Sequence, residues 1–82
     1  MILGMVTGSV WATKKCEALR GQAFLEVTYA DGRIVAADLV GAGRGDRVLV
    51  TLGSGARAQQ PEIPCDAAIV AILDGEGYHV DQ

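Results

Sequence analysis

Glycine cuts this chain into pieces too short for long helices, and several of those pieces carry the two-residue alternation of strands. Glycines fall at positions 4, 8, 21, 32, 41, 43, 45, 53, 55, 75 and 77, and a glycine inside a helix weakens it. Between Phe24 and Ala30, Leu25, Val27 and Tyr29 alternate with Glu26 and Thr28, the period of a half-buried strand. Extended sequence resumes from Arg33 to Asp38 with Ile34, Val35 and Ala36. Two such runs around Asp31-Gly32 predict a hairpin, because both turn residues tolerate positive φ.

The remaining segments fit the same pattern. Ile2 to Ala12 reads as a strand bent near Gly8, since a glycine inside a strand marks a bulge or bend. Thr13 to Gly21 is polar and reads as a loop, with Leu19 as its one large apolar residue, tucked against the core. Gly41 to Asp46 is a second loop, and Val48 to Val50 a strand ending at Gly53. Ser54 to Gln60 fits a short helix with Ser54 as its N-cap. Pro61 and Pro64 bracket an extended connection before Ala67 to Leu73, a continuous apolar run suited to a strand buried on both faces. Asp74 to Gly77 is a turn, and Tyr78-His79-Val80 a final short strand or tail. The expected fold is all-β: one domain over residues 1–82, a small five-stranded barrel like the oligonucleotide-binding (OB) fold, with one or two short helical turns.

Composition says how such a barrel meets its surroundings. Half of the 82 residues are hydrophobic and 21% are charged, more apolar material than a domain this small readily hides when alone. Self-association is the expected outlet. The net charge is −3, and Lys14, Lys15, Arg20, Arg33, Arg44, Arg47 and Arg57 are scattered along the chain. Nucleic-acid binding calls for a concentrated basic surface, so composition disfavours that partner. Base stacking would also need aromatic platforms, and the chain has only Trp11, Phe24, Tyr29 and Tyr78. Met1 to Val6 is apolar but lacks a basic region before it and breaks at Thr7-Gly8-Ser9; it reads as a buried strand, not a signal peptide or membrane span. With no secretory signal, Cys16 and Cys65 are expected to be reduced cytosolic thiols.

No cofactor, metal or catalytic set is expected. Gly41, Gly43 and Gly45 lack the spacing of a dinucleotide fingerprint, whose sixth position is here Asp46, and strand-like sequence follows instead of a helix. Ser54 between Gly53 and Gly55 is not a nucleophile elbow, and the one histidine, His79, lies far along the chain. Cys16, Cys65 and His79 show no metal-ligand spacing; Cys65 reads as a small half-buried hydrophobe. Asp74, Glu76 and Asp81 suit a charged turn and tail. Arg57, on the short helix, could pair with a carboxylate of its own or a neighbouring subunit, or could simply be solvated.

Taken together, the segments resemble the EutN/CcmL family of bacterial microcompartment vertex proteins. The residues that carry the likeness begin with Val6-Thr7-Gly8-Ser9-Val10-Trp11-Ala12-Thr13-Lys14 and Leu19-Arg20-Gly21. The strongest block runs from Ala36 through Val40-Gly41-Ala42-Gly43 to Val50, followed by Gly53-Ser54-Gly55-Ala56-Arg57 and by Pro64 to Asp74. A short Asp31-Gly32 connection, Ala23 before its strand and a short tail depart from the family pattern. The resemblance implies a non-enzymatic, cytoplasmic shell subunit that forms a ring of five. Its implied partners are copies of itself and the hexagonal shell proteins whose layer it closes. On that basis Gly41, Ala42, Gly43, Arg44 and Gly45 are expected near the five-fold axis, and Ser54, Arg57 and Asp66 at the subunit interface. The alternative is a binding module of the same shape for single-stranded nucleic acid or a small ligand.

Overall fold

Alternation along Phe24–Tyr29 gives strand β2, and Gly32–Asp38 gives β3, paired antiparallel from Phe24↔Ala37 to Tyr29↔Gly32. The structure is a computed structural model and describes residues 1–59 and 65–74. The hairpin turn falls on Ala30 and Asp31, one position earlier than the Asp31-Gly32 expectation. Gly32 already pairs with Tyr29, so the ladder determines where the loop begins.

Strand β1 (Ile2–Val10) pairs with β2 on one side and with β4 (Arg47–Leu52) on the other. Its register shifts between Val6 and Gly8, the irregularity that bends it as expected. It ends at Val10, not Ala12, because Val10 pairs with Phe24, the first residue of β2, and no ladder partner remains beyond it. Strand β5 (Ala67–Leu73) runs antiparallel to β4 and parallel to β3. The five strands close into the barrel that the sequence predicts, in the order β1-β2-β3-β5-β4.

Among the described residues, two short helical elements join them. A 3-10 turn over Glu17–Leu19 interrupts the polar loop, where Leu19 is half-buried but belongs to neither core cluster. Helix α1 (Ser54–Gln59) begins on Ser54 itself, so Gly53 precedes it and Ser54 is not the cap. The expectation for β5 also needs correction. Only Ala67, Ala68 and Ile69 are buried, and Ile72 is 44% exposed. The parallel pairing with β3 stops at Asp38↔Ile69, so the second half of β5 is sheltered on one side by β4 alone. The Pro61–Pro64 connection, the 75–77 turn, and Tyr78, His79 and Val80 lie outside the described residues.

Inward-facing side chains fill the barrel: Val6, Leu25, Val27, Ala36, Val48, Val50, Ala67 and Ile69. Most are Val or Ala, as a barrel with a narrow interior requires. Ala37 and Ala68 alternate with these and face outward, where they pack on Ala56 of α1, flanked by Phe24, Leu39 and Cys65. A Cβ on Gly55 would collide with the Thr51 hydroxyl, so a glycine there lets the helix lie close against β4.

Gly4 has the same role inside the barrel. A Cβ there would lie 2.6 Å from Val27 Cγ1 and 2.7 Å from the Thr28 carbonyl oxygen. The backbone carbonyl cannot move without breaking the β1–β2 ladder. Gly4→Val is therefore expected to destabilise the fold by about 3 kcal/mol, the upper range of overpacking costs. At Gly8 the nearest atoms to a new Cβ are 3.8 and 4.0 Å away on Glu26, so Gly8→Ala should cost under about 0.5 kcal/mol. Urea midpoints at one fixed protein concentration compare the two.

Candidate functional site

The loop between β3 and β4 is built by the aspartates at its two ends. One carboxylate oxygen of Asp38, Oδ1, accepts hydrogen bonds from the backbone N–H groups of Val40, Gly41 and Ala42 at 3.2, 3.0 and 3.1 Å. At the other end, Asp46 Oδ2 accepts from the Gly43 N–H at 2.8 Å, while the Asp46 N–H donates to the Gly43 carbonyl at 3.0 Å. The chain then rejoins the barrel: Gly45 N–H donates to the Val6 carbonyl, and Val6 N–H to the Asp46 carbonyl, both at 2.9 Å. Gly41 and Gly45 hold φ of 78° and 92°, a region that side chains with a Cβ rarely enter.

This geometry orders the expected axial residues. Ala42 is half-buried and packs against the barrel core, whereas Gly41, Gly43, Arg44 and Gly45 are exposed. The loop is thus anchored by one methyl group and presents a glycine backbone and Arg44 to solvent. The amides of residues 40–43 are already taken by Asp38 and Asp46, so they are not a vacant cradle for an anion.

Ser54 and Asp66 come together at the other end of β4. The Gly53 N–H donates to the Asp66 carbonyl at 2.7 Å, joining the start of α1 to the residue before β5. Both Ser54 and Asp66 are exposed. Arg57 lies on α1; its side chain is outside the described residues. The six residues of β4 separate this cluster from the glycine loop, roughly 17 Å at strand rise. The candidate residues therefore form two separate sites.

Among the described residues, chemistry-bearing groups do not converge at either place. Among the described residues no three His, Cys, Asp or Glu side chains gather as a metal site. Cys16 is exposed and Cys65 half-buried, neither in a disulfide, with Cys65 packed against the outer alanine cluster. No helix among the described residues is long and apolar enough to cross a membrane. Reading the sequence alone passed over Asp38 and Asp46, the residues that shape the loop. The available signal was an aspartate just outside each end of a glycine cluster, the position from which a short carboxylate reaches backbone amides.

Comparison with known proteins agrees with this architecture. The profile of the family described as "Ethanolamine utilisation protein EutN/carboxysome" matches residues 1–74. The chain is 43% identical over 83 residues to the carboxysome shell vertex protein CcmL of Thermosynechococcus vestitus, covering 90% of this chain and 84% of that one. It superposes on the GrpN pentameric microcompartment shell protein from Rhodospirillum rubrum with a TM-score of 0.79 and 40% identity, over 90% of this chain and 94% of the other. A pentameric shell protein from the RMM microcompartment is similar over 100% of both chains, with a TM-score of 0.85 and 35% identity.

Asp38 is the first residue to test in the loop. Asp38→Ala leaves three amides without their acceptor and should cost about 2 kcal/mol. Hydrogen exchange at Val40, Gly41 and Ala42 is expected to speed up ahead of exchange in the strands. Asp38→Asn keeps a carbonyl acceptor and should show a smaller effect at the same three amides.

Proposed function

We infer that this chain, which belongs to the EutN/carboxysome family over residues 1–74, is a structural subunit of a bacterial microcompartment shell, assembling as a homopentamer at its vertices. One observation carries this reading: a fold match over the full length of both chains to a pentameric shell protein, at 35% identity. The relatives are described as shell vertex proteins, not as enzymes. The barrel itself offers structural support: Leu3, Met5, Val10, Trp11, Val35 and Ile72 are large apolar residues left exposed on a single subunit. That is the unspent apolar surface which composition anticipates, and a ring removes part of it from water.

The role follows from geometry. A flat layer of hexagonal units tiles a plane and cannot enclose a volume. Replacing six-fold units by five-fold ones at the corners introduces the curvature that closes it. The partners are then four further copies of this chain and the hexagonal shell proteins around each vertex, in the cytoplasm.

Within this reading the glycine loop Gly41–Gly45 lies toward the five-fold axis, with Arg44 as its exposed cation. The axis is where five backbones approach one another, and glycine permits that approach. Ser54, Arg57 and Asp66 hold the junction between subunits. A charged pair in that position would tie the end of β4 to a neighbour.

Native mass spectrometry at near-physiological salt is the direct test: a dominant five-subunit species is expected, and a stable monomer would overturn the reading. Arg57→Ala and Asp66→Ala address the junction. Each is expected to weaken the pentamer about tenfold or more, as loss of a charged interfacial contact does. If both rings survive dilution like the unsubstituted protein, those two residues have no part in assembly.

A further inference from the structure

An open groove of about 270 Å³ lies on the outside of the barrel, between the end of β1, the 3-10 turn and the β2–β3 hairpin. Its walls are apolar: Val10, Leu19, Phe24 and Val35. The strand register explains why they meet. Val10 pairs with Phe24, Phe24 pairs with the outward-facing Ala37, and Val35 stands two residues before Ala37 on the same face. A smaller hollow of about 110 Å³ adjoins the groove, sharing Val10 and Phe24 with it and bordered by Trp11.

Two polar side chains, Gln22 and Lys15, line both hollows, and they differ in what they have left to offer. The Gln22 Nε2 group donates to the carbonyls of Ala23 and Asp38, both at 3.2 Å. Its donors are spent, and the side chain is held in place. Lys15 is exposed and has no carboxylate partner among the described residues. The acids of the neighbouring elements are engaged elsewhere. Glu17 pairs with Arg20. Glu26, on the outer face of β2, accepts from the Thr7 hydroxyl at 2.9 Å and lies 3.8 Å from Arg33. The groove thus joins an apolar wall to one cation that nothing neutralises.

We propose that this groove is a binding site for a small aliphatic carboxylate, its chain lying along Val10, Leu19, Phe24 and Val35 and its acid group on Lys15. The class of ligand follows from charge and shape. A neutral hydrocarbon leaves Lys15 unused, a cationic amphiphile meets a like charge, and a multiply charged anion sets its charges against apolar walls. A singly charged carboxylate with a short chain satisfies both halves of the site. The volume lies just below the range that drug-sized ligands occupy, which favours a chain of modest length. Phe24 is braced against the outer alanine cluster and Gln22 is fixed by its two hydrogen bonds, so part of the groove is already in its binding shape. The site goes beyond the shell role and does not depend on the number of subunits in the ring.

Octanoate is a suitable probe, and Trp11, the one tryptophan of the chain, is the reporter beside the groove. Titrating octanoate into the assembled protein should shift Trp11 emission to shorter wavelength along a saturable curve, whereas octylamine should not saturate. Hexanoate has two fewer methylenes, each worth about two- to fourfold in a partly open groove, and should bind about 4- to 16-fold more weakly. Lys15→Met should weaken octanoate up to about fivefold, the scale of an exposed ion pair, and leave 1-octanol unchanged. Val35→Glu places a carboxylate in the wall and should abolish octanoate binding; Val35 is 49% exposed, and circular dichroism checks that the fold persists.

A response that rises linearly without saturating overturns the proposal, as does equal affinity of octanoate for the unsubstituted protein and Lys15→Met. So does a Trp11 already shielded from acrylamide in the ligand-free assembly, since a neighbouring copy would then occupy the groove.

Discussion

Ala37 pairs with Ala68 and Asp38 with Ile69, and this short parallel seam turns four antiparallel ladders into a closed barrel. The other strand pairs extend over four to six residues each; the seam has two. Its residues are used on both sides. Ala36, Ala67 and Ile69 face the interior, while Ala37 and Ala68 face out and receive Ala56 of α1. Larger side chains at Ala37 or Ala68 would lift the helix away from the seam it covers. Asp38 ends β3, contributes its backbone to the seam, and uses its carboxylate to start the glycine loop. Gln22 adds a brace by donating to the Asp38 carbonyl at 3.2 Å. Both candidate regions, the loop and the α1 end, thus depend on the same few atoms.

Much of this was legible in the sequence because strands and turns are local. Leu25, Val27 and Tyr29 set the period of β2, and the barrel followed from the number and length of the segments. Gly8 gave the bend in β1. What the sequence could not fix was where one segment stops for want of a partner. Trp11 and Ala12 continue the apolar character of β1, yet Phe24 is the first residue of β2 and the ladder ends there. Likewise Val70 to Leu73 look as buried as Ala67 to Ile69 until β3 is seen to turn away after Asp38.

The candidate site was legible in a different sense. The glycine cluster and the Gly53–Arg57 block were visible through their resemblance to a family, not through their chemistry. Their placement at opposite ends of β4 emerges only from the fold. The loop-shaping role of Asp38 and Asp46 was missed because an isolated aspartate looks like a solvated charge. Its meaning lies in which amides come within reach once the chain turns. The same holds for Val35, whose neighbours in sequence, Ile34 and Ala36, face the core while it faces out.

The strand order also sets a timetable for synthesis. β5 lies between β3 and β4, yet it is the last of the five to leave the ribosome, and Ala68 follows its partner Ala37 by about thirty residues of chain. Until it emerges, β3 and β4 each present an unpaired edge, a state prone to mispairing with other chains. Premature association between nascent copies is therefore discouraged only once β5 fills the gap, and a finished barrel becomes the unit from which any larger assembly begins.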